Sequence, residues 1–211
     1  MFTFLGIFFV TSITSFLAPT GWKEWRNLGV VAAFLVALFT EMYGFPLTIY
    51  LLTAWLGDAY PVLAPFTHKH GHLWVVVFGG SDTAWAIVMG LSLLFMLAGY
   101  ILLSKGWREI HGGHGGLITD GSYIYARHPQ YSGLFLLIIG FLIQWPTLLT
   151  VLMAPVLVYA YIRLARREEN IMLNRFGAAY TQYAQRTPMF FPPFAQWKDF
   201  LTASPKDVKE S

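Results

Sequence analysis

Residues 131–162 are 32 consecutive positions without Asp, Glu, Lys or Arg. At about 1.5 Å per residue, one straight helix of that length would overshoot a hydrocarbon core of about 30 Å. The run must therefore turn back on itself. The turn is legible at Gln144-Trp145-Pro146: proline removes a backbone donor, glutamine resists lipid, and tryptophan favours the membrane interface. The two arms are short for full spans. They either extend into their polar flanks or form a shallow re-entrant pair. Pro129 suits a first helical turn, and residues 163–173 are rich in helix formers. In both cases the ends return to one side, which makes Arg127, His128 and Tyr131 neighbours of Arg163, Arg166, Arg167, Glu168 and Glu169.

The rest of the chain agrees with a membrane setting. It is 56% apolar and 12% charged, against about 25% charged for soluble domains. A formal net charge of +3 is too small to argue nucleic-acid binding, and no nucleic-acid motif is present. Without cysteine there is no disulfide, no thiolate chemistry and no cysteine zinc site.

Three further apolar segments precede the hairpin, at residues 2–18, 28–56 and 83–103. The first is expected to be a retained helix, because its basic residues follow it, whereas a signal peptide begins with them. Counting loops on this layout puts thirteen of the fourteen Lys and Arg residues on one side and Lys69 alone on the other. The positive-inside rule then predicts five transmembrane segments, with the N-terminus outside and the C-terminus in the cytoplasm. The predicted fold is an all-α, polytopic helical membrane protein. Its expected regions are residues 1–103, a three-helix membrane part; residues 104–193, a loop, hairpin and cytoplasmic helix around the polar clusters; and residues 194–211, a tail. The cytoplasmic helix should run over residues 163–186 with a break near Gly177, and Pro188, Pro192 and Pro193 end it. The run Met189-Phe190-Phe191 is expected to fold back onto the bilayer surface.

Read by residue type alone, the cytoplasmic end collects His128, Tyr123, Tyr125, Tyr131, Asp120, several arginines and the Glu168-Glu169 pair. One account makes this a binding site. The other makes the arginines snorkelling topology anchors and the acids their helix-surface partners, for instance Arg166 with Glu169.

The motifs favour the first account. Arg127-His128-Pro129-Gln130-Tyr131-Ser132-Gly133 resembles the R-H-P-x-Y-x-G element of the isoprenylcysteine carboxyl methyltransferase and phospholipid N-methyltransferase superfamily of integral membrane enzymes. Residues 116–123 resemble its G-L-V-x-x-G-P-Y lead-in, with Ser122 where proline is common. Arg167-Glu168-Glu169 resembles its R-E-E, and Arg175-Phe176-Gly177 with Tyr180, Tyr183 and Pro188 resembles its closing pattern. The resemblance covers residues 116–192.

That resemblance implies S-adenosylmethionine bound at the cytoplasmic helix ends, with a lipophilic or small-molecule acceptor arriving through membrane lipid. Carried over by position, Tyr125, Arg127, His128, Tyr131, Gly133, Glu168 and Glu169 are candidate cofactor-binding residues. Ribose hydroxyls and an ammonium want carboxylate acceptors, and a carboxylate wants donors such as His128 or Arg127. Arg163 and Arg167 are candidates for orienting an acidic acceptor group. Two rivals stand beside this reading: an NADPH-dependent membrane sterol-type reductase, which shares a related R-H-P-x-Y-x-G element, and a non-catalytic membrane metal- or ligand-binding protein.

Glu41 is the single charge within residues 28–56. A carboxylate near the bilayer centre costs roughly 2.5 to 3.5 kcal/mol on insertion scales, so it is a candidate for holding an amine, accepting a proton or pairing with Arg163. His68, His70 and His72 alternate in a loop without a neighbouring carboxylate or cysteine and read as solvated residues, with no metal assigned. His111 and His114 read as connector residues, and Trp22, Trp25, Trp55, Trp74, Trp107 and Trp145 as interface anchors.

Overall fold

The computed structural model describes residues 73–112 and 116–203. The apolar segments at 2–18 and 28–56, Glu41, the His68/His70/His72 loop, His114 and the tail from 204 lie outside the described residues. Among the described residues the structure is helical, without strands. In chain order the helices are α1 (Leu73–Val77), α2 (Asp82–Gly112), α3 (Pro129–Gln144), α4 (Leu148–Phe176), α5 (Ala178–Arg186) and α6 (Trp197–Thr202), with single 3-10 turns at Gly121–Ile124 and Phe194–Gln196.

The chain forms two compact units that cut across the long helices. One takes in residues 73–93 and 140–158, the other residues 94–139 and 159–203. The expected boundary at 103/104 falls inside α2, which continues through it.

In the first unit, local chemistry sets the helix starts. Ser81 precedes α2, and its Oγ accepts the Ala84 N–H at 3.1 Å, an N-cap that satisfies one of the orphan donors of the first turn. Ahead of α4 a reciprocal cap forms. The Thr150 N–H donates to Thr147 Oγ1 and the Thr147 N–H to Thr150 Oγ1, each at 3.0 Å. Threonine here takes the part that Glu or Gln takes in a capping box. Together with Pro146 this explains why α3 stops at Gln144 and a new helix begins at Leu148. Trp74 Nε1 donates to the Leu142 carbonyl at 3.1 Å, tying α1 to the last turn of α3.

Two helices, Asp82–Ile110 and Leu148–Phe176, are long and apolar enough to cross a membrane, and only 28% of the most apolar window of each is buried within the protein. Core helices of a soluble protein would be mostly covered. The outward display of Ile87, Leu91, Leu94, Leu97, Leu149, Leu152 and Val156 instead suits lipid as the surrounding solvent. With 16 residues, α3 stays short, whereas α4 reaches 29 by continuing into its polar flank.

In the second unit, α2 and α3 touch backbone to backbone. A Cβ at Gly99 would stand 2.6 Å from the Gly133 carbonyl oxygen, and one at Gly133 would stand 2.6 Å from that of Gly99. Neither position has room for a side chain, which is how small residues bring membrane helices together. Around this crossing Leu102, Ala126, Leu136 and Phe200 form a buried apolar cluster, and Lys105 Nζ donates to the Leu201 and Ala203 carbonyls at the end of α6. Gly177, at φ 52°, separates α4 from α5 at the expected break. One expectation changes: Phe190 and Phe191 pack inward, against Phe135 at 5.1 and 6.3 Å and with Phe191 stacked on Trp197. A core that includes Phe135 and Trp197 offers these rings closer packing than the membrane surface. Phe194 is the exposed ring of the segment.

Candidate functional site

The site is built from a loop, two helix ends and a returning segment, all within the second unit. Gly121, at φ +57°, allows the tight 3-10 turn of Gly121–Ile124. From there the chain passes through a turn at Tyr125 and a bend at Arg127 into α3. The Arg127 N–H donates to the Pro188 carbonyl at 2.9 Å and the His128 N–H to that of Met189 at 3.0 Å. Ser132 Oγ donates to the Phe190 carbonyl. Tyr183 of α5 donates its hydroxyl to the Tyr123 carbonyl at 2.7 Å. The Arg127-His128 dipeptide is thus fixed by its backbone, and its side chains are free to serve the site.

Those side chains meet α4. His128 Nδ1 lies 3.5 Å from Glu168 Oε2 and His128 Nε2 3.4 Å from Glu169 Oε1, so the imidazole sits between two carboxylates. Arg127 Nε is 2.9 Å from the same Glu169 oxygen, and its guanidinium also donates to the Ala184 carbonyl at 3.0 Å. Tyr131 donates its hydroxyl to Glu168 Oε1 at 2.6 Å. Its ring stacks on His128 at 5.5 Å and packs on Tyr161 at the same separation. Glu169 therefore faces Arg127 and His128 rather than forming the helix-surface pair with Arg166. The sequence spacing alone left both arrangements open.

A cavity of about 390 Å³ opens beside this cluster. Gly116, Leu117, Ile118, Tyr123, Arg127, His128 and Gln130 line one part of it, and Glu168, Met172, Arg175, Phe176, Tyr180 and Tyr183 the other. Burial pushes the Tyr123 hydroxyl well up. Burial, with the Glu169 carboxylate adding to it, pushes that of Tyr180 up to about 12, so both phenols stay protonated donors at neutral pH.

Three buried polar atoms of the ionic cluster behind this wall, Arg127 Nε, His128 Nε2 and Glu169 Oε1, make no aligned hydrogen bond although Glu169 Oε1 lies within ion-pair distance of the other two. Charge is compensated there while hydrogen-bonding capacity is left over. Such a wall fits a ligand carrying both anionic and cationic groups and hydroxyls. The volume lies within the range of small-molecule sites, about 300 to 1,000 Å³.

Of the residues expected at the site, Arg127, His128, Tyr131, Glu168 and Glu169 come together. Tyr125 lies apart from the cavity, against Phe200 at 6.2 Å and along a separate groove with Arg186, Thr187 and Pro188. Gly133 serves the α2–α3 crossing. Arg163 and Arg167 are exposed on α4. Sequence reasoning missed Glu109, which is buried and bound to Ser122. The available signal was an acid near the end of an otherwise apolar helix.

A helical protein with outward-facing apolar helices of this kind is a membrane protein, and in this one a half-buried ionic cluster adjoins a cavity. Residues 86–179 match the family model described as phospholipid methyltransferase. Similar curated proteins include protein-S-isoprenylcysteine O-methyltransferase of Schizosaccharomyces pombe, 30% identical over 77 residues, or 36% of this chain and 33% of the relative. Protein-S-isoprenylcysteine O-methyltransferase B of Arabidopsis thaliana is 33% identical over 82 residues, 37% of this chain and 41% of the relative. The cobalt-zinc-cadmium resistance protein CzcN of Cupriavidus metallidurans is 26% identical over 129 residues, 58% of this chain and 59% of the relative. The chain thus spans from about a third to three fifths of the length of these relatives. No solved structure matches at comparable significance. The resemblance to the membrane methyltransferase superfamily carried by the motifs is confirmed over residues 86–179.

Proposed function

We propose that this protein is an integral membrane methyltransferase that takes S-adenosylmethionine from the cytoplasm and methylates a lipophilic or small acceptor arriving from the bilayer. The observation that carries this reading is the His128 imidazole held between Glu168 and Glu169, with Arg127 on Glu169, in a cluster whose Arg127, His128 and Glu168 line the cavity and which lies inside the matched family region.

When bound, the cofactor would supply an electrophilic methyl group on a sulfonium. The chain's own residues would bind and orient it. Glu168 and Glu169 would accept from ribose hydroxyls or the ammonium, Arg127 and His128 would donate to the carboxylate, Tyr131 would hold Glu168 in place through its hydroxyl, and Tyr123 and Tyr180, which line the cavity, would offer aromatic faces to a cation. Methyl transfer asks the protein for in-line placement and a dry cavity more than for covalent participation. The apolar members of the wall, Ile118, Met172 and Phe176, would exclude water. Arg163 and Arg167, exposed on α4, are assigned to an acidic group of the acceptor, and Glu41 to an amine. The same reading takes residues 104–193 as the catalytic region of a five-segment protein with the site on the cytoplasmic side.

The test is thermal stabilisation of the purified protein by S-adenosylmethionine, S-adenosylhomocysteine and NADPH, since a ligand that binds the folded state alone raises its stability. Adenosyl ligands should stabilise the wild type, and Glu168→Gln and His128→Ala should lose the effect. Stabilisation by NADPH alone would replace this reading with the reductase. The likeness to CzcN over 58% of the chain favours a second reading, a membrane metal-binding protein using His68, His70 and His72. Metal analysis of protein prepared without a histidine tag tests it, and metal-free protein that binds S-adenosylhomocysteine excludes it.

A further inference from the structure

Glu109 is a carboxylate near the end of α2 that lies 7% exposed, outside the cavity wall. Both its oxygens stand 3.2 Å from the Ser122 backbone nitrogen, whose N–H they share, and Oε1 stands 3.2 Å from Ser122 Oγ, which donates to it. Ser122 is itself fully buried. The residue before it, Gly121, is at φ +57°, and a Cβ built there would fall 2.5 Å from Glu109 Oε1. Glycine at 121 therefore serves two ends: it takes the left-handed conformation, and it leaves the space that the carboxylate fills.

Ser122 occupies the position where the lead-in motif commonly has proline. A proline there would fix φ near −65° and would have no N–H to donate. With serine the backbone has more freedom, and the two donors of Ser122 are both directed at one buried carboxylate. Hydrogen bonds to a charged group are about twice as strong as neutral ones.

The residues that follow are those of the site. The Tyr125 and Ala126 N–H groups both donate to the Ser122 carbonyl at 3.2 Å, Tyr123 lines the cavity, and Arg127 and His128 come next. A shift of Ser122 is transmitted to these side chains within one turn.

We propose that Glu109 and Ser122 form a latch in which the carboxylate, acting through Ser122, fixes the loop presenting Tyr123, Arg127 and His128. Glu109 is then a positioning residue for the ligand site, and this role rests on the methyltransferase reading. The latch supplies through hydrogen bonds the rigidity that the proline of the lead-in supplies through its ring.

The experiment uses the full chain in nanodiscs, with Glu109→Ala, Glu109→Gln, Ser122→Pro and the double variant that combines Glu109→Ala with Ser122→Pro. Two quantities are measured: affinity for S-adenosylhomocysteine by calorimetry, and hydrogen–deuterium exchange of peptides covering residues 117–128. Glu109→Ala should weaken binding by about tenfold or more and speed exchange in that loop. Glu109→Gln, which keeps one acceptor, should recover much of both. Ser122→Pro should be harmful beside an intact Glu109, which it deprives of both donors, and much less so when combined with Glu109→Ala. Equal effects of Ser122→Pro in the two backgrounds would overturn the latch, as would unchanged exchange in Glu109→Ala. A lowered melting temperature with unchanged affinity of the folded protein would reduce Glu109 to a structural residue. If Glu109→Ala does not fold, Glu109→Gln against Ser122→Ala carries the same comparison. Wild-type protein that binds no S-adenosylhomocysteine would overturn the methyltransferase reading, and the exchange measurement alone would then decide the latch.

Discussion

Residues 73–93 and 140–158 follow a different rule from residues 94–139 and 159–203. In the first unit, large apolar side chains such as Ile87 and Leu152 point outward, at 64% and 70% exposure. Its polar chemistry consists largely of caps, Ser81 on Ala84 and Thr147 on Thr150. In the second, polar groups go inward: Ser122 and Ser132 are fully buried, Glu109 nearly so, and Arg127, His128 and Glu169 share one ionic cluster. Where lipid is the solvent, many apolar residues serve equally well at a position. Where ions are drawn together out of water, each position demands one chemical group. Substitutions should therefore be tolerated in the first unit and costly in the second.

The largest contrast is expected at Glu169. Glu169→Ala removes the carboxylate that faces both Arg127 and His128; deleting one partner of a buried pair typically costs about 3 to 5 kcal/mol, and the partial exposure of Glu169 lowers that figure. S-adenosylhomocysteine affinity measured by calorimetry should fall at least about a hundredfold, whereas Leu152→Ala in the first unit should leave it unchanged. Comparable losses from both variants would break the comparison.

Glycines along α2 sharpen it. Nine positions apart, Gly90 has nothing within 4 Å of a built Cβ, while Gly99 meets the Gly133 carbonyl and the Leu137 backbone nitrogen. Gly90→Ala should be neutral or stabilise by up to about 1 kcal/mol through helix propensity. Gly99→Ala and Gly133→Ala should each destabilise by about 1 to 3 kcal/mol through overpacking. Melting in detergent, followed by helix content, reads both effects, and a destabilising Gly90→Ala would mean that this face is covered.

Tyr131→Phe tests a smaller step. It keeps the stacking on His128 and Tyr161 and removes the hydrogen bond to Glu168. A hydrogen bond to a charged group contributes about 1.5 to 3 kcal/mol, and Glu168 is partly open to solvent, which lowers the figure. A loss in ligand affinity of about fivefold to tenfold is expected by calorimetry. Trp74→Phe, which removes the bond to the Leu142 carbonyl, should leave affinity untouched.

The same division decides what could be read from the sequence. The uncharged run from 131, its break around Gln144-Trp145-Pro146, the start of α3 at Pro129 and the break at Gly177 follow from local rules of charge, proline and glycine, and the helices fall accordingly. The meeting of Arg127 and His128 with Glu168 and Glu169 was legible because a folded hairpin brings its two polar ends together. What escaped depends on contacts far apart in the chain. Gly133 carries no mark telling a ligand contact from a helix crossing, since either requires a missing side chain. Tyr125 looks like its neighbours Tyr123 and Tyr131 until Phe200 packs against it. Glu109 acquires its meaning from a partner thirteen residues later, a separation that no helical periodicity reports.

The smallest effect concerns pH and is confined to alkaline conditions. Burial first, and the Glu169 carboxylate second, raise the Tyr180 hydroxyl to about 12 in the folded protein, against about 10 for an unperturbed tyrosine. Below pH 10 the phenol is protonated in both states, so the stabilisation associated with the raised value is fully present. Between 10 and 12 the unfolded chain gives up its proton while the folded one keeps it, and stability falls at a limiting slope of about 1.4 kcal/mol per pH unit. The loss levels off once pH passes the folded value. Tyr183, also raised by burial, adds in the same direction. Tyr180→Phe should flatten the alkaline limb of a melting-temperature profile and leave the profile below pH 9 parallel to wild type. Leu152→Ala, which removes no titratable group from the outward face of α4, should leave the alkaline limb as it is. If both variants flatten that limb equally, burial of Tyr180 beside the ionic cluster is not its cause.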